Sequence, residues 1–154
     1  MAANRALEIG KAGEHLVCAD LLLKGYRAYL SDQGLPYDVI VDTDGRLIRL
    51  QVKSTLSTRN VNAQGRIPRI AYNFNARRRG KNGQSRLDIN DCDVIAFVAL
   101  DIRQIAYVPL AAIRTTFALM PPGKKFAGQI KRALNQTGNI DCFPIEKAIE
   151  SLLI

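Results

Sequence analysis

The chain has no tryptophan, a single histidine (His15) and three cysteines, Cys18, Cys92 and Cys142. One histidine excludes any scheme that needs a histidine pair within one chain. Three widely separated cysteines offer neither a disulfide framework nor a Cys-x-x-Cys knuckle, which points to a reducing, cytoplasmic setting. Long apolar runs are missing as well: the longest, Val94 to Leu100, falls far short of the roughly 20 residues a membrane span requires. The start, "MAANRALEIGKAGEH", lacks the apolar core of a secretory signal. Its "GKAGE" has neither the spacing nor the trailing Lys-Ser or Lys-Thr of a phosphate-cradling loop, so nothing supports ATP-dependent chemistry. With no repeat or linker, residues 1–154 read as one domain, a core over about 5–117 followed by a basic helical extension over about 120–154.

Acid is absent where it matters most. Between Gly45 and Leu87 there is no Asp or Glu, while Arg46, Arg49, Lys53, Arg59, Arg66, Arg69, Arg77, Arg78, Arg79, Lys81 and Arg86 supply half of the 22 basic residues of a chain with net charge +8. Such a block repels itself unless a polyanion meets it, or unless it is a solvated loop. Its basic positions alternate with Asn, Gln and Gly rather than with an apolar helical stripe, which argues against a membrane surface.

What is present reads as α/β. A helix is expected from about Arg5 to Lys24, burying Leu7, Val17, Leu21 and Leu22 and stopped by Gly25. A short strand near Tyr26 to Leu30 follows, then a hairpin whose turn is Asp44-Gly45. Further strands are expected over Arg69 to Phe74, Asp93 to Leu100 and Gln104 to Pro109, the last two antiparallel. Pro109 is expected to start a helix running to about Phe117. Past Met120 we expect a loop, a basic helix, and an amphipathic helix from near Pro144.

The hairpin "LPYDVIVDTDGRLIRLQVKST" carries the chemistry. With Asp44 and Gly45 as turn residues, Asp38 lies opposite Gln51 and Lys53 shares their face, whereas Val39, Val41, Ile48, Leu50 and Val52 form the apolar face. A carboxylate beside an amide oxygen suits a hard cation, and an ammonium next to them suits a phosphate or an activated water. That set is suited to phosphodiester hydrolysis. The same three residues on the wet face of an ordinary hairpin serve only solubility.

"LPYD…QVK" resembles the signature of the PD-(D/E)XK nuclease superfamily, and "GKAGEHLVCADLLLKGY" resembles its first helix. The resemblance runs from Gly10 to about Ala112. It implies a restriction-endonuclease-like αβββαβ core, a mixed central sheet flanked by helices, and a Mg²⁺ (or Mn²⁺) cofactor. Carried over residue by residue, it makes Asp38 the principal metal ligand, Lys53 the catalytic lysine, Glu14 the helix-borne acid and the Val52 carbonyl a further ligand. Glu8, earlier and outside the Gly-rich start, is a weaker candidate for that acid and reads rather as a solvated helix residue. Gln51 stands where the superfamily usually has Glu or Asp, which should weaken metal affinity. A QxK motif is similar to that of the group I intron homing endonuclease branch, whose members act on double-stranded DNA as homo-oligomers, dimers or tetramers.

The expected activity is therefore a metal-dependent, site-specific DNA endonuclease. Alternatives are a Holliday junction resolvase-like nuclease and an inactive DNA-binding module of the same fold. Candidate DNA contacts are Arg59, Arg66, Arg69, Asn73, Asn75, Arg77, Arg78, Arg79, Lys81, Arg86, Lys124 and Lys125. Asp91 and Asp93 read as turn or strand-edge acids, and His15 as a helix-surface residue.

Overall fold

The computed structural model describes residues 2–61, 69–80, 83–113, 116–123 and 137–153. The first helix, α1 (Ala2–Leu23), ends at Gly25, whose φ of 90° lets the chain turn back into β1 (Arg27–Leu30). Strands β2 (Val39–Asp42) and β3 (Leu47–Thr55) form the hairpin in the expected register, Val39 facing Leu50 and Val41 facing Ile48. Both turn residues have positive φ, 56° at Asp44 and 148° at Gly45, as a tight two-residue turn demands.

Strand β3 then pairs in parallel with β8 (Val94–Ala99), which pairs antiparallel with β9 (Gln104–Pro109). The resulting sheet has the order β1-β2-β3-β8-β9. All six residues of β8 are buried, because both faces of this central strand are covered. On one face lie α1 and the last helix, α2 (Ile145–Leu152), joined through Val17, Leu21, Val41, Leu50, Val52, Ala96, Tyr107 and Ile145.

A second sheet covers the other face. It is built from β4 (Arg59–Val61), β5 (Arg69–Asn75), β10 (Thr116–Met120) and β11 (Thr137–Asn139), in the order β11-β10-β5-β4. Phenylalanines bind the two sheets together: Phe97 stacks on Phe117 at 4.9 Å between ring centres and lies 4.8 Å from Phe74. Between β5 and β8 the chain forms the small hairpin β6 (Arg77–Gly80) and β7 (Gly83–Arg86). The fold is the expected α/β class with a mixed central sheet. Among the described residues, the crossover from β3 to β8 is made of strands, so the second sheet occupies the layer assigned to the later helix.

Two expectations are corrected. After Pro109 there is only a single 3-10 turn (Leu110–Ala112); Ile113 is extended, with φ −112° and ψ 136°, and Thr116 to Leu119 pair with β5. Phe117 is a β-former whose ring completes the aromatic stack, and that burial outweighs the proline's helix-starting tendency. In α1, Val17 and Leu21 are fully buried, but Leu7 and Leu22 are 71% and 53% exposed. Leu22 points about 100° away from the Val17–Leu21 stripe, and Leu7 lies two to three turns before it. The described residues of the basic "ARRRGKNGQSR" stretch, for which a solvated loop is one of two readings, form paired strands. The basic helix expected after Met120 falls on residues 124–136, outside the described ones. The final helix starts after Pro144 as expected, and the buried Ile140 and Ile145 anchor this end of the chain on both sides of the main sheet. No helix among the described residues is long and apolar enough to cross a membrane.

Candidate active site

Strand β2 begins one residue after Asp38, and this short start opens a gap beside β3. The Asp38 backbone N–H donates to the Leu50 carbonyl at 2.8 Å, one residue short of the Gln51 partner that the hairpin register predicts, so Asp38 and Val39 both oppose Leu50 as at a β-bulge, and it is the side chains of Asp38 and Gln51 that meet. Beyond that point β3 has no strand partner on this side among the described residues, and the Asp38 side chain takes over. Its Oδ2 accepts the Gln51 amide and the Val52 backbone N–H, both at 2.7 Å. Its Oδ1 accepts no hydrogen bond among the described residues. The N–H and C=O of one strand residue point the same way, so the Val52 carbonyl faces the same gap.

Leu50 and Val52 face the helices, and period-two alternation therefore turns Gln51 and Lys53 to the opposite side. Lys53 Nζ donates to the Arg77 carbonyl at 2.9 Å. That carbonyl belongs to a residue fixed by an Asx turn, in which Asn75 Oδ1 accepts the Arg77 N–H at 3.0 Å. The ammonium is thus held by the base of the β6–β7 hairpin and not by a carboxylate.

Glu14 arrives from α1. The helix lies close on β3 because Gly13 has no side chain: a Cβ there would stand 1.7 Å from Ser54 Oγ. Glu14 keeps only 19% of its side chain exposed and is paired with Lys11 at 2.8 Å. Glu8, by contrast, is two-thirds exposed and reaches only Arg5, as expected for a solvated residue.

These groups perturb one another. Burial raises the Asp38 pKa above its ordinary value, and the negative charge of Glu14 adds to the rise; the Val52 N–H, Lys53 and Lys11 oppose it. Burial lowers the Lys53 pKa against the pull of Asp38. A half-buried acid and a half-buried amine displaced in opposite senses are the pattern expected where protons and charge are handled. Cys92 is no rival nucleophile: it is fully buried, and desolvation pushes its thiol up to about 12.

The donor set fits a hard divalent cation. Asp38 Oδ1, the Glu14 carboxylate, the Gln51 amide oxygen and the Val52 carbonyl are all oxygens, and two carboxylates leave room for retained waters. Among the described residues no three His, Cys, Asp or Glu side chains gather to hold a metal, so Gln51 and the backbone are needed to complete the set.

Of the candidate DNA contacts, Arg59, Arg77 and Arg86 are exposed, as is Asn75. Asn75 already serves the Asx turn, and Asn73 is half-buried on β5. Tyr72 and Phe74, on either side of Asn73, are core residues. Arg69, Arg78 and Arg79 contribute backbone to β5 and β6. The side chains of Arg69, Arg78 and Arg79, like Arg66, Lys81, Lys124 and Lys125, lie outside the described set. Arg77 is directly opposed to Arg86 across the small hairpin, a like-charge pair that an anion would relieve.

Other members of the basic block serve the fold. Arg46 donates to the Leu152 carbonyl at 2.7 Å, joining the hairpin turn to α2. Arg49 grips Asp93 through its backbone N–H, Nε and Nη2, and donates to the Ile89 and Asn90 carbonyls. Burial alone would raise the Asp93 pKa, but the Arg49 bonds hold it below the usual value, so Asp93 is the structural acid the sequence suggested. Asp91 closes the neighbouring turn by accepting the Asp88 N–H, and His15 is exposed on α1.

Sequence reasoning missed Gly13, Lys11 and the Arg77 carbonyl. A glycine in mid-helix was the available signal for the first, and the i,i+3 spacing to Glu14 for the second. Nothing local signals the third.

A family model described as PD-(D/E)XK endonuclease matches residues 5–135. Among solved structures the chain is similar to a bacterial homing endonuclease, I-Ssp6803I, with a TM-score of 0.58 and 16% identity over 79% of this chain and 82% of that one. At that identity the likeness shows the fold, restriction-endonuclease-like, and nothing finer. No curated protein matches the chain in sequence.

Proposed function

The chain belongs to the PD-(D/E)XK endonuclease family, and from that premise we propose that it is a site-specific endonuclease of double-stranded DNA that depends on Mg²⁺ or Mn²⁺. The observation that carries the reading is the gap beside β3. There Asp38 presents an oxygen that takes no hydrogen bond among the described residues, set between Gln51, the Val52 carbonyl and the Lys53 side. In this reading Asp38, Glu14, Gln51 and Val52 hold the ion, which when bound activates water and neutralises charge on the scissile phosphate. The Asp38 carboxylate is oriented by the Gln51 amide and the Val52 N–H before any ligand arrives, so little reorganisation is left for the reaction. Lys53 supplies the ammonium that offsets charge building on the phosphate, and its tether to Arg77 fixes it at the mouth of the site. Arg59, Arg77 and Arg86 provide exposed cations for the backbone phosphates.

One such centre cuts one strand, so breaking a duplex calls for two copies, which supports a dimeric or tetrameric assembly. The likeness to I-Ssp6803I, a bacterial homing endonuclease, favours duplex DNA over a branched junction as the substrate. The test is cleavage of a randomised duplex library and of a four-way junction with Mg²⁺, with the cut ends sequenced. Asp38→Ala and Lys53→Ala are each expected to abolish cutting while leaving DNA affinity within about a factor of three. Cutting that persists in either variant refutes the site.

A further inference from the structure

We propose that Lys11 is the resident counter-cation of the site: its ammonium, held on Glu14, balances the carboxylates in the metal-free protein and must leave when a divalent ion binds. The inference rests on the reading of Glu14 and Asp38 as ligands, and it concerns a residue that reading does not use.

Among the described residues, Lys11 is the one cation in direct contact with a site carboxylate. Lys53 carries the same charge but donates to the Arg77 carbonyl. The Lys11 ammonium reaches Glu14 Oε2 at 2.8 Å from the rim; its own side chain is 56% exposed, while that of Glu14 is 19% exposed. Gly13 fixes this geometry by letting the helix approach Ser54 and Val52 of β3.

Charge counting gives the consequence. Gln51 is neutral, so the site holds two carboxylates, Glu14 and Asp38, against two ammoniums, Lys11 and Lys53. It is therefore near neutrality without a metal. A divalent ion entering such a site meets an excess of positive charge unless one ammonium moves, and Lys11 is the mobile one: it sits at the rim on a flexible stem, whereas Lys53 is half-buried and tethered. Once released, Lys11 is free to follow the incoming phosphate. An ordinary i,i+3 helix pair would have no such linkage to metal.

Calorimetric titration of Mn²⁺ into the full chain without DNA tests this. Lys11→Met is expected to bind Mn²⁺ roughly five- to tenfold more tightly than the wild type, the effect of removing one partly screened charge near a divalent ion. Lys11→Arg, which keeps the charge, should stay within about twofold of the wild type, and Asp38→Asn should lose binding. Without metal, Lys11→Met should melt below the wild type and gain more from saturating Mn²⁺. Equal or weaker Mn²⁺ binding by Lys11→Met, with Asp38→Asn still losing it, overturns the role of Lys11 and leaves the ligand set standing. Undiminished binding by Asp38→Asn overturns both.

Discussion

Replacing Gly13 by alanine should destabilise this protein, although the same change in an ordinary exposed helix stabilises it. Alanine in a helix interior is favoured over glycine by about 0.8–1 kcal/mol. Here the new Cβ meets Ser54 Oγ at 1.7 Å and Ser54 Cβ at 3.0 Å. Rotating the hydroxyl relieves the first clash but not the second, and overpacking of this kind costs about 1–3 kcal/mol. The net expectation is a loss of up to about 2 kcal/mol, and at about 2–4 °C per kcal/mol for a chain of this size the melting temperature falls by several degrees. Glu14 moves with the helix, so Mg²⁺-dependent cleavage should fall more than stability does. The control is Ser54→Gly, which removes both clashing atoms. Because Ser54 Oγ is buried with no hydrogen-bond partner among the described residues, this control breaks no bond. Urea unfolding of the two single variants and the double should show coupling of about 1–3 kcal/mol. A Gly13→Ala protein more stable than the wild type would show that α1 does not sit on β3 in this way.

Asp38→Asn tests the half-buried carboxylate by pH. Its pKa is raised in the folded state, so its contribution to stability is complete below the unfolded value, near 3.8, and is lost as pH rises through the folded value. Asparagine keeps the acceptor for Gln51 and Val52 without the charge; the variant should melt above the wild type at pH 7, with the difference closing below about pH 4, and a difference independent of pH contradicts the burial argument. Gln51→Glu should keep the fold and tighten Mg²⁺ binding in calorimetry, and no gain would mean that Gln51 is not a ligand. Neutralising Arg77, Arg78 and Arg79 together should weaken DNA binding and reduce the salt slope by about 0.9 for each phosphate no longer neutralised, whereas an unchanged slope would make the run a spectator.

The hairpin was legible because its information is local. An Asp-Gly turn fixes the register as far as Val39 opposite Leu50, two-residue alternation puts Gln51 and Lys53 on one face, and the Asp38 side chain reaches Gln51 there although its backbone pairs one residue out of that register. Gly25 as a helix stop and the fully buried β8 were legible for the same reason: each depends on residues adjacent in sequence. The strand after Pro109 was not legible, since Phe117 takes its conformation from Phe97 and from pairing with β5. Nor was the fate of the basic block, where Arg49 is consumed by Asp93 while Arg77 and Arg86 are left facing each other.

Sequence by itself determined the chemistry on offer: the donor atoms of the hairpin, their common face, and a positive charge in need of an anion. Tertiary structure decided how those groups meet. The approach of Glu14 depends on a missing Cβ at Gly13 against Ser54, and the restraint on Lys53 depends on a carbonyl 24 residues away. Side-chain type and turn chemistry are written within a few residues, whereas docking a helix on a sheet and placing a lysine under a distant hairpin are set by packing between segments far apart in the chain.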